Sequence, residues 1–178
     1  MLVRRTSRLR HPILLSLIGL VVNGCRSSDD PASAIQRLAL DTLFNGREHA
    51  RQLVIWSSDS AGPALETILT QQHLKHTRIA VERLAPTLPA IAVDEQTLTD
   101  LFREHPDGWA EFFRRYPQSS GLVELAPVRF SPGNRVAEVF VGRSCGPHCQ
   151  NAWRIVTRRD ASGSWKISEL QWIRVPET

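Results

Sequence analysis

The hydrophobic period of this chain changes at Gly121, and that change limits the fold more than any other feature of the sequence. Upstream, apolar residues recur every three or four positions, the spacing of one helix face. Downstream come four extended runs, at 122–130, 135–143, 150–158 and 165–175. Turn residues join them. Ser131-Pro132-Gly133-Asn134 suits a type II turn, and the segment 160–164 (DASGS) suits a glycine-containing hairpin loop. Runs joined this closely pair as antiparallel neighbours. The expectation is an α+β fold, with N-terminal helices packed on one face of a C-terminal four-stranded antiparallel meander.

The first half is punctuated by helix signals. Asp30 followed by Pro31 reads as an N-cap and first helical residue, with Ile35, Leu38, Ala39 and Thr42–Leu43 facing inward and Gly46 as the stop. Leu53 to Trp56 reads as a strand bounded by the turn-like SSDSAGP. Helical spacing returns at 64–73 and again at 95–104. The stretch 74–93 between them, broken by Pro86 and Pro89, takes no assignment. In DGWAEFFRRYP, Trp109, Phe112, Phe113 and Tyr116 fall on one helix face, with Glu111 and Arg115 spaced as an ion pair opposite and Pro117 as terminator. Such an aromatic stripe is expected to seal helices against the sheet, since aromatics dominate core burial.

The first thirty residues concern destination. Arg4, Arg5, Arg8 and Arg10 precede a short apolar run, PILLSLIGLVV at 12–22. It falls short of the about 20 residues that a membrane-spanning helix needs and reads as an export signal. Val22-Asn23-Gly24-Cys25 resembles the lipobox of bacterial lipoproteins, with Asn23 an unusual choice at its position. The resemblance implies that residues 1–24 are a signal peptide and that Cys25 is lipidated. Residues 25–30 then form the anchor and tether, and 31–178 a single domain. The formal charge of +4 rests on 22 Lys+Arg against 18 Asp+Glu. The four arginines of the signal account for that excess, so the charge gives no argument for nucleic acid, which needs a basic patch on the mature protein.

Cys145 and Cys149 bracket Gly146, Pro147 and His148. A thiol-redox centre needs its first cysteine at a helix N-terminus, whereas the residues after Cys149, NAWRIVT, are strand formers. A zinc site wants four ligands; Cys145, His148 and Cys149 give three, and His73 with His76 lie far off in sequence. An even pair in an exported chain is first a disulfide candidate. The two cysteines flank the turn between consecutive strands, so a disulfide stapling that hairpin is expected, with His148 idle at the tip. Ser57, Ser58 and Asp59 stand in no hydrolase frame, and no glycine-rich phosphate loop occurs.

The C-terminal seventy residues resemble a widespread group of exported bacterial proteins, many of them lipoproteins, with no assigned activity. The likeness rests on DGWAEFFRRYPQSSGLVELAPVRFSP, VAEVFVGRSCGPHC and SGSWKISELQWIRV. Ala126-Pro127 and Arg174 depart from the residues common in that group. The resemblance implies export and helices on a curved sheet, similar to the cone-shaped nuclear-transport-factor-like folds, and it brings no catalytic residues. The functional expectation is a membrane-tethered envelope lipoprotein on the periplasmic face of the outer membrane. It would act as a non-enzymatic binding or structural module, with no catalytic residue, metal or cofactor and no nucleic-acid partner. The alternative is a periplasmic enzyme, hydrolytic or thiol-based, with an unrecognised site. Trp153 and Trp172, on neighbouring runs, offer a discriminating observation: one of them facing a cleft would suggest a ligand platform, whereas burial would make them core.

Overall fold

The computed structural model describes residues 30–45 and 51–175. Cys25, the signal segment and Gly46 lie outside the described residues. Three helices begin where acidic side chains meet their free amides. Asp30 accepts from the amides of Ala32 and Ser33 at the start of α1 (Pro31–Phe44). Asp94 accepts from Thr97 at the start of α4 (Glu95–Glu104), and Asp107 from Ala110 at the start of α5 (Gly108–Arg115). Each cap satisfies donors that the first helical turn leaves open. Two shorter helices, α2 (Glu66–Gln71) and α3 (Val81–Leu84), lie between α1 and α4.

The strands are β1 (Gln52–Trp56), β2 (Ala90–Val93), β3 (Ser119–Leu125), β4 (Arg129–Phe130), β5 (Val136–Ser144), β6 (Gln150–Arg159) and β7 (Trp165–Ile173). They form one seven-stranded sheet in the order β2-β1-β3-β5-β6-β7, with β4 paired to β5. The fold is α+β with a mostly antiparallel sheet, as the period change implies. Two features differ from the sequence expectation. The first extended run divides into β3 and β4 at Ala126-Pro127, both halves pairing with β5. In addition, β1 joins the sheet between β2 and β3 and runs parallel to both. Parallel neighbours require crossover connections that cover the sheet with helices. The helices therefore pack on both faces rather than one.

On the first face, α1 and α3 cover Leu53, Ile55, Val123, Leu125, Val139, Val141, Trp153 and Ile155. On the second, α4 and α5 cover Val54, Trp56 and Leu122, while Leu65, Ile68 and Leu69 cover Phe140 and Ala152. Further along, the second face carries a charge cluster: Glu138 pairs with both Arg129 and Arg154, and Arg154 also reaches Glu169 at 2.9 Å. The turns follow their sequences. Gly133 takes φ 81° in the first, and Gly163 takes φ 85° in the second, where its amide reaches the Asp160 carbonyl at 3.0 Å. Glu111 pairs with Arg114 at 2.6 Å, one position earlier than the expected Arg115. No helix among the described residues is long and apolar enough to cross a membrane.

Candidate functional site

An apolar groove of about 360 Å³ opens on the second sheet face between α4, α5 and the β5–β6 turn. Its floor is Trp56 from β1 and Leu122 from β3, both buried under α4 and α5 on strands that are paired on each side. One wall is Leu98, Phe102 and Trp109, supplied by consecutive helices. Gly146, Pro147 and Gln150 from the cysteine turn form part of the rim.

The aromatic stripe of α5 does two jobs. Phe112 is fully buried, packed edge-on to Trp109 with ring centres 5.3 Å apart, and it anchors α5 on Val54 and Leu122. Trp109 is only partly covered; it stacks edge-on to Phe102 at 5.3 Å and faces the groove. Phe102 itself remains 38% exposed. The expectation that the whole stripe is core therefore holds for Phe112 and not for Trp109. Gly108 makes the arrangement possible, since a β-carbon there would stand 2.1 Å from Phe102 Cδ1.

Cys145 and Cys149 are joined by a disulfide with their α-carbons 5.0 Å apart. The Cys145 amide donates to the Cys149 carbonyl at 2.8 Å, and the Cys149 amide to Gly146 at 3.2 Å. The bond staples the turn between β5 and β6, as expected from the flanking runs, and consumes both thiols. His148 is exposed at the tip. The turn also holds one side of the groove, a placement that the local sequence does not reveal.

The other candidate residues are engaged elsewhere. Ser58 and Ser60 donate to Glu95 Oε2 at 3.0 and 2.8 Å, and Ser57 donates to the Ile79 carbonyl at 3.3 Å. These hydroxyls fasten the loop after β1 to the start of α4. His73 is exposed at the end of α2, with φ 52°. His76 is half-buried, its ring nitrogens near the Leu125 and Ser58 backbone without reaching hydrogen-bond geometry, and burial lowers its pKa. Trp153 is core at 8% exposure, edge-on to Phe44, whereas its cross-strand neighbour Trp172 is 56% exposed.

Sequence reasoning missed Glu124. This acid is fully buried on β3 and accepts from the Ala64 and Leu65 amides, at 2.9 and 3.1 Å, with Ser144 donating at 3.5 Å. Burial raises its pKa to about 7, against the lowering effect of those hydrogen bonds. A lone acid within the apolar run LVELA was the available signal. Its bonds all go to the protein's own groups, so it acts as a cap from the sheet to the segment entering α2. Comparison with family models, with curated proteins and with solved structures finds no match.

Proposed function

We propose that the chain is a membrane-tethered lipoprotein of the bacterial cell envelope whose folded domain is a non-enzymatic binding module, with the Trp56–Phe102–Trp109 groove as its ligand site. The groove carries the reading: three aromatic side chains and two leucines line a concavity of the size that small-molecule sites occupy, with Thr99 and Gln150 the polar side chains at its edge. An apolar ligand is favoured there because covering Phe102 and Trp109 removes apolar surface from water. The hydroxyls and acids near the groove favour binding over chemistry, because Ser58, Ser60, Glu95 and Glu124 already bond one another or backbone groups. The export signal and the lipobox-like Cys25 support the tethered location.

The test is titration of the folded protein with the amphipathic fluorophore 1-anilinonaphthalene-8-sulfonate, whose aromatic rings report apolar sites, with circular dichroism confirming the fold. Saturable binding that Phe102→Glu abolishes is the expected result. Binding unchanged by Phe102→Glu would overturn the groove as the site. Robust esterase, peptidase, glycosidase or disulfide-reductase turnover, lost on changing one polar residue, would overturn the non-enzymatic reading.

A further inference from the structure

The outer edge of β7 ends the sheet, and no described strand pairs with it. An open strand edge is a template for another strand, and proteins normally blunt it with charges, bulges or proline. Here a bulge divides the edge in two. Ile167 pairs with Thr157 and Glu169 with Val156, so Ser168 is the extra residue, its hydroxyl turned back to the Val156 carbonyl at 3.2 Å. The bulge resets the alternation of side chains. Leu170 lies opposite Ile155 and Trp172 opposite Trp153, on the same sheet face as Trp165 and Ile167. Beyond the bulge, Glu169 to Ile173 is a regular stretch without proline, and its face carries Leu170 at 48% exposure and Trp172 at 56%. Two of the four exposed large hydrophobic residues among the described residues thus stand two positions apart on one open edge.

We infer that this edge pairs with the same edge of a second copy of the chain, as an antiparallel strand addition with its two-fold axis through Gln171. The self-complementarity is arithmetic. An antiparallel pair centred on Gln171 sets Leu170 opposite the other copy's Trp172, and Trp172 opposite its Leu170, so both exposed apolar residues are covered and the same apolar pair forms twice. Gln171 meets its own symmetry mate, and two amides can exchange hydrogen bonds. Glu169 falls opposite Ile173 and Arg174 opposite Ser168, so no like charges oppose one another directly. The isologous geometry is the commonest one for homodimers. A lipid surface would cover Trp172 but would leave the main-chain donors and acceptors of the edge without strand partners, which is why a second copy is the better fit. Five paired residues cover less than the about 1,200–2,000 Å² of a stable interface, so the dimer is weak and concentration-dependent.

The test places single cysteines along the edge of the full chain, purified with its anchor in detergent, and follows oxidative cross-linking against the parent chain. Gln171→Cys is expected to cross-link best, because only at the axis do identical residues face each other at about 5 Å. Leu170→Cys mixed with Trp172→Cys should cross-link better than either alone. Adding Trp172→Lys to Gln171→Cys should lower the yield about tenfold, by setting a charge against an apolar neighbour twice. Equal yields at all positions from 169 to 173, or a chain that stays monomeric up to its solubility limit, would overturn the inference. So would a fluorophore on the Gln171→Cys thiol that is quenched by brominated lipid in phosphatidylethanolamine–phosphatidylglycerol vesicles without cross-linking, because the edge would then face a bilayer.

Discussion

The carboxylate of Glu124 accepts a hydrogen bond from the amide of Ala64 at 2.9 Å, so an acid on the central sheet holds the chain entering α2. Gly62 allows the approach, since a β-carbon there would stand 2.6 Å from the Glu124 carboxyl carbon. Burial raises the Glu124 pKa from 4.5 to about 7. The folded protein therefore holds this proton more tightly than the unfolded chain does. Stability from this group is full below about pH 4.5, falls as pH rises towards 7, and is level above that. The total loss is about 3 kcal/mol. Urea melts at intervals between pH 4.5 and 8 should show this slope in the parent and not in Glu124→Gln, which cannot ionise. A difference between parent and variant that stays constant with pH would mean that Glu124 does not titrate in this window.

The two aromatic neighbours on α5 should separate in their energetic roles. Phe112 is fully buried between Val54 and Leu122, and Phe112→Ala is expected to cost about 3–5 kcal/mol. Trp109 is partly solvent-facing, so Trp109→Ala should cost clearly less while still weakening probe binding in the groove. Denaturant melts of both variants check this; a larger loss for Trp109 would make that residue the seal.

Much of the architecture was legible because it rests on local rules. Asp30 caps the helix it is expected to open, and the α4 span coincides with the helical spacing at 95–104. The glycine turns close the C-terminal hairpins where their residues stand. What could not be read was long-range. β2 is the four residues Ala90–Val93 in a proline-broken stretch, and only its parallel pairing with β1 makes it a strand. The groove joins Trp56, Phe102 and Pro147, which no periodicity connects. The Ser168 bulge is equally silent in sequence. It sends Leu170 and Trp172 to the α1 face, where simple alternation from Trp165 would have sent Glu169.

The disulfide should be a staple and not a condition of folding. Closing a loop as short as Cys145–Cys149 stabilises by about 2 kcal/mol in the chain-entropy account. β5 and β6 remain paired from Val136 with Arg158 to Ser144 with Gln150 without its help. The double variant Cys145→Ser, Cys149→Ser is expected to fold with a lowered melting temperature and weaker probe binding, because Gly146 and Pro147 lose their fixed place on the rim. A double variant that fails to fold would assign the bond a larger role.

The tether has a separate chemical test. Lipidation at Cys25 should increase the mass of the mature chain by its acyl groups and place the protein in the membrane fraction, since more than one acyl chain gives stable anchoring. Cys25→Ser is expected to release a soluble form from the envelope. Unchanged fractionation and unchanged mass in that variant would remove the lipid anchor from the proposed function while leaving the groove untouched.

Gly108→Ala offers the most selective probe of the groove. The added methyl would meet the Phe102 ring at 2.1 Å, so the ring must swing away. Phe102 is part-exposed and can rotate towards solvent, so the helices need not separate. Alanine at this first helical position also loses less chain entropy on folding than glycine, a gain of about 0.4–1 kcal/mol that offsets the lost ring contact with Trp109. The melting temperature should therefore stay near that of the parent while probe affinity falls about tenfold, equivalent to about 1.4 kcal/mol. Phe102→Ala removes the same wall without a clash and should weaken binding to a similar extent. If Gly108→Ala binds the probe as the parent does, the Phe102 wall is not part of the binding surface, and the probe's site must be sought elsewhere on the protein.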